Sequence, residues 1–249
     1  MTAPNISNPT HPTAAMNQVR LPRTAALGPG LGGQPRLLID APAGAAEIYL
    51  HGATLTSWVP RGGSEVIFTS RQAVFDGSTA IRGGIPLCLP EFGVGINGDA
   101  VPKHGWARIA PWQLRMVAST DDGGVRALLS VSRNHLTALY EVEIGETLRL
   151  GLSLRNDGNA PRTVEAAAHT YLSVHDVTAS LISGLAGASY SDNLAHSPQE
   201  AHRVQDGDVR ISGPVDRIYD SAELVTVTDP GHERTIHVDK RNAPSTIVW

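Results

Sequence analysis

The sequence predicts an all-β fold, a large antiparallel sandwich or barrel-like structure forming one domain over residues 36–249. Three observations lead there. From residue 36 onward, short runs of alternating apolar and polar residues recur with the two-residue period of a half-buried strand. Turn-forming clusters of Gly, Asn and Asp separate them, and the long helical patterns that parallel strands need between them are absent.

Residues 1–35 are rich in Pro, Ala, Asn, Thr and Gly and show little apolar periodicity, which predicts a disordered N-terminal tail without chemistry of its own. Gly28, Gly30 and Gly33 match G-x-G-x-x-G, but no strand-like run precedes them and no helical pattern follows, so a flexible linker is favoured over a nucleotide site. The strand pattern then runs through AEIYLHGATLTSWVP, EVIFTS after a Gly-Gly turn, VRALLSVSR, YEVEIGETLRLGLSLRND, RTVEAAAHTYLSV and LVTVTD. Asp121-Asp122-Gly123-Gly124 and Asn156-Asp157-Gly158-Asn159 read as hairpin turns, because Gly, Asn and Asp tolerate positive φ. No repeat of 20–50 residues is evident.

Bulk composition narrows the partners. Twenty Lys and Arg against 24 Asp and Glu give a net charge of −4, so neither nucleic acid nor an anionic membrane surface is an expected partner. Cys88 is the only cysteine among 249 residues, which excludes an internal disulfide and fits a reducing compartment. No signal-peptide core and no long apolar run is present, and a cytoplasmic protein is expected.

One stretch asks for more than packing: IRGGIPLCLPEFG at residues 81–93, followed by KHGWAR at 103–108. Pro86 and Pro90 cannot donate to a central ladder, so residues 83–103 are expected to form a loop or edge segment, where binding residues tend to sit. Arg82 beside Gly83 and Gly84 allows backbone to approach a ligand while the guanidinium fork grips two oxygens of a phosphate, and Arg108 can close the clamp. The competing reading pairs both arginines with carboxylates and gives the glycines to a turn.

Residues 80–86 (Ala-Ile-Arg-Gly-Gly-Ile-Pro), Phe92-Gly93, His104-Gly105 and Ala107-Arg108 together closely resemble the glucose-6-phosphate 1-epimerases, the hexose-phosphate branch of the galactose-mutarotase-like family. The likeness extends upstream through His51-Gly52-Ala53 to Ser57-Trp58 and downstream through Ala168-His169-Thr170-Tyr171-Leu172, Asp216-Arg217-Ile218-Tyr219 and Ile247-Val248-Trp249. The resemblance implies an antiparallel β-supersandwich, galactose mutarotase-like, with a sugar site in an open cleft. It implies an isomerase that interconverts the α and β anomers of a hexose 6-phosphate by acid–base ring opening, without a cofactor. His169 matches the catalytic histidine, Arg82 and Arg108 the phosphate-holding positions, and Asp216 a substrate-binding aspartate. Lys103 falls where the family often has glutamine, and His104 matches the histidine beside the sugar ring. The chemistry suits these types: imidazole titrates near neutrality and can protonate a ring oxygen, while a bidentate Arg–phosphate contact holds the reacting carbon in place.

Two departures stand out. Leu89-Pro90-Glu91-Phe92-Gly93 puts a carboxylate where relatives commonly carry Pro-x-Pro-Trp-Phe-Gly, and the family's general-base glutamate falls beyond Trp249. The expectation is therefore a domain short at its C-terminus, with C-terminal strands missing. Its alternatives are a non-catalytic phosphosugar-binding protein of the same fold, or Glu91 standing in as base. A metal-dependent β-barrel enzyme is the third class: His169 and His175 lie six apart, but His196, His202, His232 and His237 show no tight ligand spacing, and no metal site is assigned. The expected partner is a small phosphosugar, and the sequence carries no signal of oligomeric state.

Overall fold

A computed structural model describes residues 19–249 and divides at Ser173/Val174 into two compact units, a division that no composition shift marks. Almost every described element is a strand: one four-residue helix, α1 (Pro198–Ala201), and three 3-10 turns are the helical pieces among the described residues.

The first unit carries two four-stranded antiparallel sheets and one two-stranded ribbon. Strands β1 (Ala25–Pro29), β2 (Pro35–Ala41), β3 (Gly44–Tyr49) and β4 (Thr54–Pro60) pair in chain order. The expected tail over 1–35 is therefore shorter: Ala25–Pro29 pairs residue by residue with Ile39–Pro35, and the part before residue 19 lies outside the described residues. Backbone pairing, which needs no apolar alternation, is what the composition could not announce. The three glycines end up in this hairpin, Gly28 within β1 and Gly30 and Gly33 at its 3-10 turn; a side chain at Gly30 would collide with the Tyr49 hydroxyl.

Between β4 and the next sheet lies the short strand β5 (Leu87–Cys88). The second sheet runs β6 (Gln113–Ser119), β7 (Val125–Arg133), β8 (Leu136–Ile144), β9 (Leu148–Asn156), again in chain order. Here alternation reads directly into structure. Leu136, Ala138, Tyr140, Val142 and Ile144 point to the buried face of β8, beside Val125, Ala127 and Leu129 of β7. Each fully buried Leu or Ile contributes about 1.5–3 kcal/mol relative to exposure. On the opposite face Glu143 sits in register between Arg126 and Arg149 and pairs with both, at 2.9 and 3.1 Å.

Asp121–Gly124 forms the expected turn between β6 and β7, but Asn156–Asn159 does not make a hairpin. The Asn156 side chain folds onto its own backbone, accepting from Gly158 N–H and donating to the Ala160 carbonyl, and so ends β9. The chain instead crosses to β10 (Ala167–Ala168), which pairs with β5. EVIFTS is likewise not a regular strand; Ile67 and Thr69 make isolated bridges to Leu172 and Gly83.

The second unit holds two further four-stranded antiparallel sheets, built from β11 (Leu181–Ser183), β12 (Ser189–Asp192), β13 (His202–Val204), β14 (Val209–Arg210), β15 (Arg217–Tyr219), β16 (Val225–Asp229), β17 (Arg234–Val238) and β18 (Thr246–Val248). Their orders are β14-β11-β16-β17 and β13-β12-β15-β18. Leu185, Tyr190, Val209, Tyr219, Val225 and Val248 form its core. Asp229, fully buried, accepts from His175 N–H at 3.1 Å, His232 Nδ1 at 2.7 Å and Arg234 Nε at 3.3 Å. Burial would raise its pKa, but these three donors hold the carboxylate below its ordinary value.

Candidate active site

The expectation of a loop or edge segment over residues 83–103 divides: residues 83–90 are buried and form an interrupted strand. The prolines fit because the segment pairs through its carbonyls: Pro86 O accepts from His169 N–H at 3.0 Å, Gly84 O from Tyr171 N–H at 2.9 Å, and Pro90 O from Glu165 N–H at 2.9 Å. Residues 165–172 thus run antiparallel to 84–90, and β5 and β10 are the regular part of that ribbon. The exposed, glycine-rich loop begins only after Pro90 and returns at His104; the Leu89–Pro90 and Val101–Pro102 peptides are cis.

Gly83 and Gly84 serve packing within the protein rather than approach to a ligand. Both have positive φ, and an added Cβ would lie 2.6 Å from Thr69 Cα at Gly83 and 2.4 Å from Leu55 O at Gly84. The competing reading gave these glycines to a turn; instead they let the chain pack closely against Thr69 and Leu55. Among the described residues no carboxylate lies within ion-pair distance of Arg82, Arg108 or Lys103, so the carboxylate pairing of that reading is not seen. Arg82 is exposed, while Arg108 is half-buried and donates from Nη2 to the Lys103 carbonyl at 2.9 Å.

Tyr171 joins these groups. Burial raises the pKa of its hydroxyl, and the positive charges of Arg82 and Arg108 both pull it back, so both guanidinium groups lie within electrostatic reach of one phenol. The Tyr171 ring stacks on His169 with centroids 4.7 Å apart and planes 19° from parallel. His169 meets His104 edge to face at 6.2 Å, and His104 meets Phe92 edge to face at 5.0 Å. Of the six site residues read from the sequence, His104 and His169 thus lie in one row of rings within the first unit, and Arg82 and Arg108 act electrostatically on the Tyr171 end of that row.

The other two are placed differently. Lys103 is exposed and contributes its carbonyl to Arg108. Asp216 belongs to the second unit, where its carboxylate accepts from Asn193 Nδ2 at 3.0 Å and its carbonyl from Asn193 N–H at 2.8 Å. Glu91 is half-buried with its stem against Gly95. Cys88 is buried, and desolvation pushes its thiol up to about 11 despite the opposing charge of Arg108, so it remains protonated at neutral pH. His175 stacks edge to face on His232 within the second unit. Among the described residues, no group of three or more His, Cys, Asp or Glu is placed to hold a metal ion, and no helix is long and apolar enough to cross a membrane.

Sequence reasoning missed Tyr171 and Glu165 as parts of the site. Tyr171 was legible as a landmark, and the two-residue strand period, which puts residues 169 and 171 on one face, was the signal that could have found it.

Comparison with known proteins assigns the class. Residues 35–249 match the family model described as aldose 1-epimerase, and the chain belongs to that family. It is 31% identical over 222 residues to a Cenchrus ciliaris protein and 29% identical over 223 residues to one from Salmonella typhimurium, both named "putative glucose-6-phosphate 1-epimerase". The matches cover 82% and 86% of this chain, which spans only 66% and 73% of those relatives' length. Among solved structures, a "putative mutarotase" from Salmonella typhimurium superposes with a TM-score of 0.82 at 27% identity, covering 92% of this chain and 77% of that one. A galactose mutarotase-like protein from Clostridium acetobutylicum shares the fold at a TM-score of 0.72 and 10% identity, covering 90% of this chain and 83% of that one.

Proposed function

We propose that this protein is a hexose-6-phosphate mutarotase, interconverting the α and β anomers of its substrate by ring opening and closure. The observation that carries the proposal is that two guanidinium groups without carboxylate partners among the described residues act electrostatically on Tyr171, whose ring is stacked on His169. Two guanidinium groups acting on one tyrosine offer positive charge to an anionic ligand, and a phosphate ester matches the guanidinium fork. The names of the relatives support the same substrate class.

In this reading Arg82 and Arg108 hold the phosphate, with Lys103 adding charge at the rim. Contacts to this remote group are spent on orienting the sugar rather than on the reacting bond itself. His169 gives a proton to the ring oxygen while Glu91, the stand-in base read from the sequence, takes the proton of the C1 hydroxyl. The bond between C1 and the ring oxygen breaks, its electron pair going to the ring oxygen as the C1 hydroxyl becomes the aldehyde, which turns about C1–C2 before the reverse steps close the ring on its other face. His104 hydrogen-bonds a ring hydroxyl. Asp216 is a substrate-binding residue on the strength of the resemblance alone. A general acid of this kind contributes about 10²–10⁴-fold.

The test is an assay coupled to an anomer-specific dehydrogenase, with glucose 6-phosphate freshly dissolved as one anomer. Anomer exchange faster than the spontaneous rate, and faster for the phosphorylated than for the free sugar, is expected. Exchange at the spontaneous rate with retained phosphosugar binding would replace the enzyme with a non-catalytic binding protein of the same fold.

A further inference from the structure

We propose that Glu165 is a positioning residue: it ties down the turn at residues 92–96, and the Gly93 amide in that turn fixes His104 in the tautomer carrying its proton on Nε2. The two histidines of the site are thereby aligned by one strand segment, since Glu165 lies four residues before His169 on the chain paired with 84–90.

The connection is continuous. Glu165 N–H donates to the Pro90 carbonyl at 2.9 Å, placing its side chain beside the point where the buried segment becomes a loop. Its Oε2 accepts from Ile96 N–H at 3.0 Å and, at longer range, from Phe92 N–H at 3.4 Å. Gly95 N–H closes the same turn on the Phe92 carbonyl at 2.8 Å. Gly93, held inside that turn, then grips His104 twice: its carbonyl accepts from His104 N–H at 2.7 Å, and its own N–H donates to His104 Nδ1 at 3.1 Å.

A backbone amide can only donate, so Nδ1 must offer a lone pair, and a neutral imidazole with an accepting Nδ1 carries its proton on Nε2. His104 also occupies the left-handed region at φ +64°, an unfavourable conformation for a non-glycine residue that persists only where surrounding contacts enforce it. The Gly93 contacts, the ring of Phe92 and the Leu89 N–H that donates to the His104 carbonyl at 3.2 Å are among those contacts. If the proposed function holds, on which the catalytic part of this inference rests, His104 meets the sugar as a hydrogen-bond donor. Loosening the turn then misplaces that donor without touching the phosphate clamp.

The experiment reads the tautomer directly. Long-range ¹H–¹⁵N correlation spectra of the imidazoles, recorded without substrate at about pH 8.5, where histidine is neutral, are compared for the wild type, Glu165→Gln and Glu165→Ala. The His104 signals are identified by their loss in His104→Gln. The wild type is expected to show an unprotonated Nδ1 and a protonated Nε2. Glu165→Gln, whose amide oxygen still accepts from the turn, should keep that pattern, and Glu165→Ala should populate both tautomers. In the anomer assay Glu165→Ala should lose about 10–100-fold in kcat with KM changed by less than about threefold, and Glu165→Gln should restore most of it.

A protonated Nδ1 in the wild type, or an unchanged tautomer in Glu165→Ala, would overturn the inference. If Glu165→Ala does not fold, Glu165→Asp decides, because its shorter carboxylate should also release the tautomer; retention there would overturn the inference too. The spectra need no turnover, so an inactive wild type would remove the proposed function and leave the tautomer assignment standing.

Discussion

Replacing Arg82 by Ala should weaken binding of a hexose 6-phosphate while leaving binding of the free hexose nearly unchanged. The magnitude follows from the site. Arg82 has no ion-pair partner to give up among the described residues, so a bound phosphate gains its full fork, and nothing is left uncompensated when the side chain is removed. A hydrogen bond to a charged group contributes about 1.5–3 kcal/mol, and the exposed position of Arg82 puts it at the lower end. About 1.5–2 kcal/mol corresponds to roughly a 10–30-fold loss of affinity. Arg108 should retain part of the site's affinity, and Arg82→Lys should recover only some of the loss, because an ammonium cannot make the bidentate contact. Isothermal titration with glucose 6-phosphate and with glucose, at two salt concentrations, measures both affinities. Equal losses for the two ligands would refute the clamp, as would a wild-type affinity for the phosphosugar that does not fall with salt.

Three further outcomes are expected. His169→Gln should reduce kcat by about 10²–10⁴-fold with substrate affinity changed by no more than a few fold, measured by the coupled assay and by titration; an activity within tenfold of wild type would remove His169 as the acid. Tyr140→Phe should stabilise the first unit by about 1 kcal/mol, since the buried Tyr140 hydroxyl has no hydrogen-bond partner among the described residues and its removal relieves an unmet polar group; a loss of that size in denaturant unfolding would contradict this. The depressed pKa of Asp229 stabilises the second unit above the unfolded carboxylate value of about 3.9, and that contribution disappears as pH falls through the lower folded-state value. Hydrogen exchange in β16 and β17 should therefore lose protection below about pH 4, and Asp229→Asn, less protected at neutral pH, should show a flatter dependence; identical pH profiles would rule Asp229 out as the cause.

What the sequence made legible depended on where apolar alternation carries the fold. VRALLSVSR became β7 residue for residue, because Val125, Ala127 and Leu129 must share one buried face. RTVEAAAHTYLSV carried the same signal, yet only Ala167 and Ala168 form regular strand, since their partner segment is interrupted by Pro86 and Pro90. β1 was invisible for the opposite reason: its pairing with β2 is made by backbone groups along a Pro- and Gly-flanked run. At the site, the arginines and histidines could be chosen by residue type and resemblance. The rings that connect them could not, because Phe92 and His104 meet across a loop whose turn is held by Glu165, far away in sequence, and His104 meets His169 from a different segment. The glycines beside Arg82 looked like a ligand cradle and instead let two segments of the protein pack in contact.

The most direct measurement is a crystal structure of this protein with a hexose 6-phosphate bound. The account predicts phosphate oxygens within hydrogen-bond distance of the guanidinium groups of both Arg82 and Arg108, and an imidazole nitrogen of His169 about 3 Å from the ring oxygen. A phosphate held elsewhere, or a sugar ring turned away from His169, would contradict it.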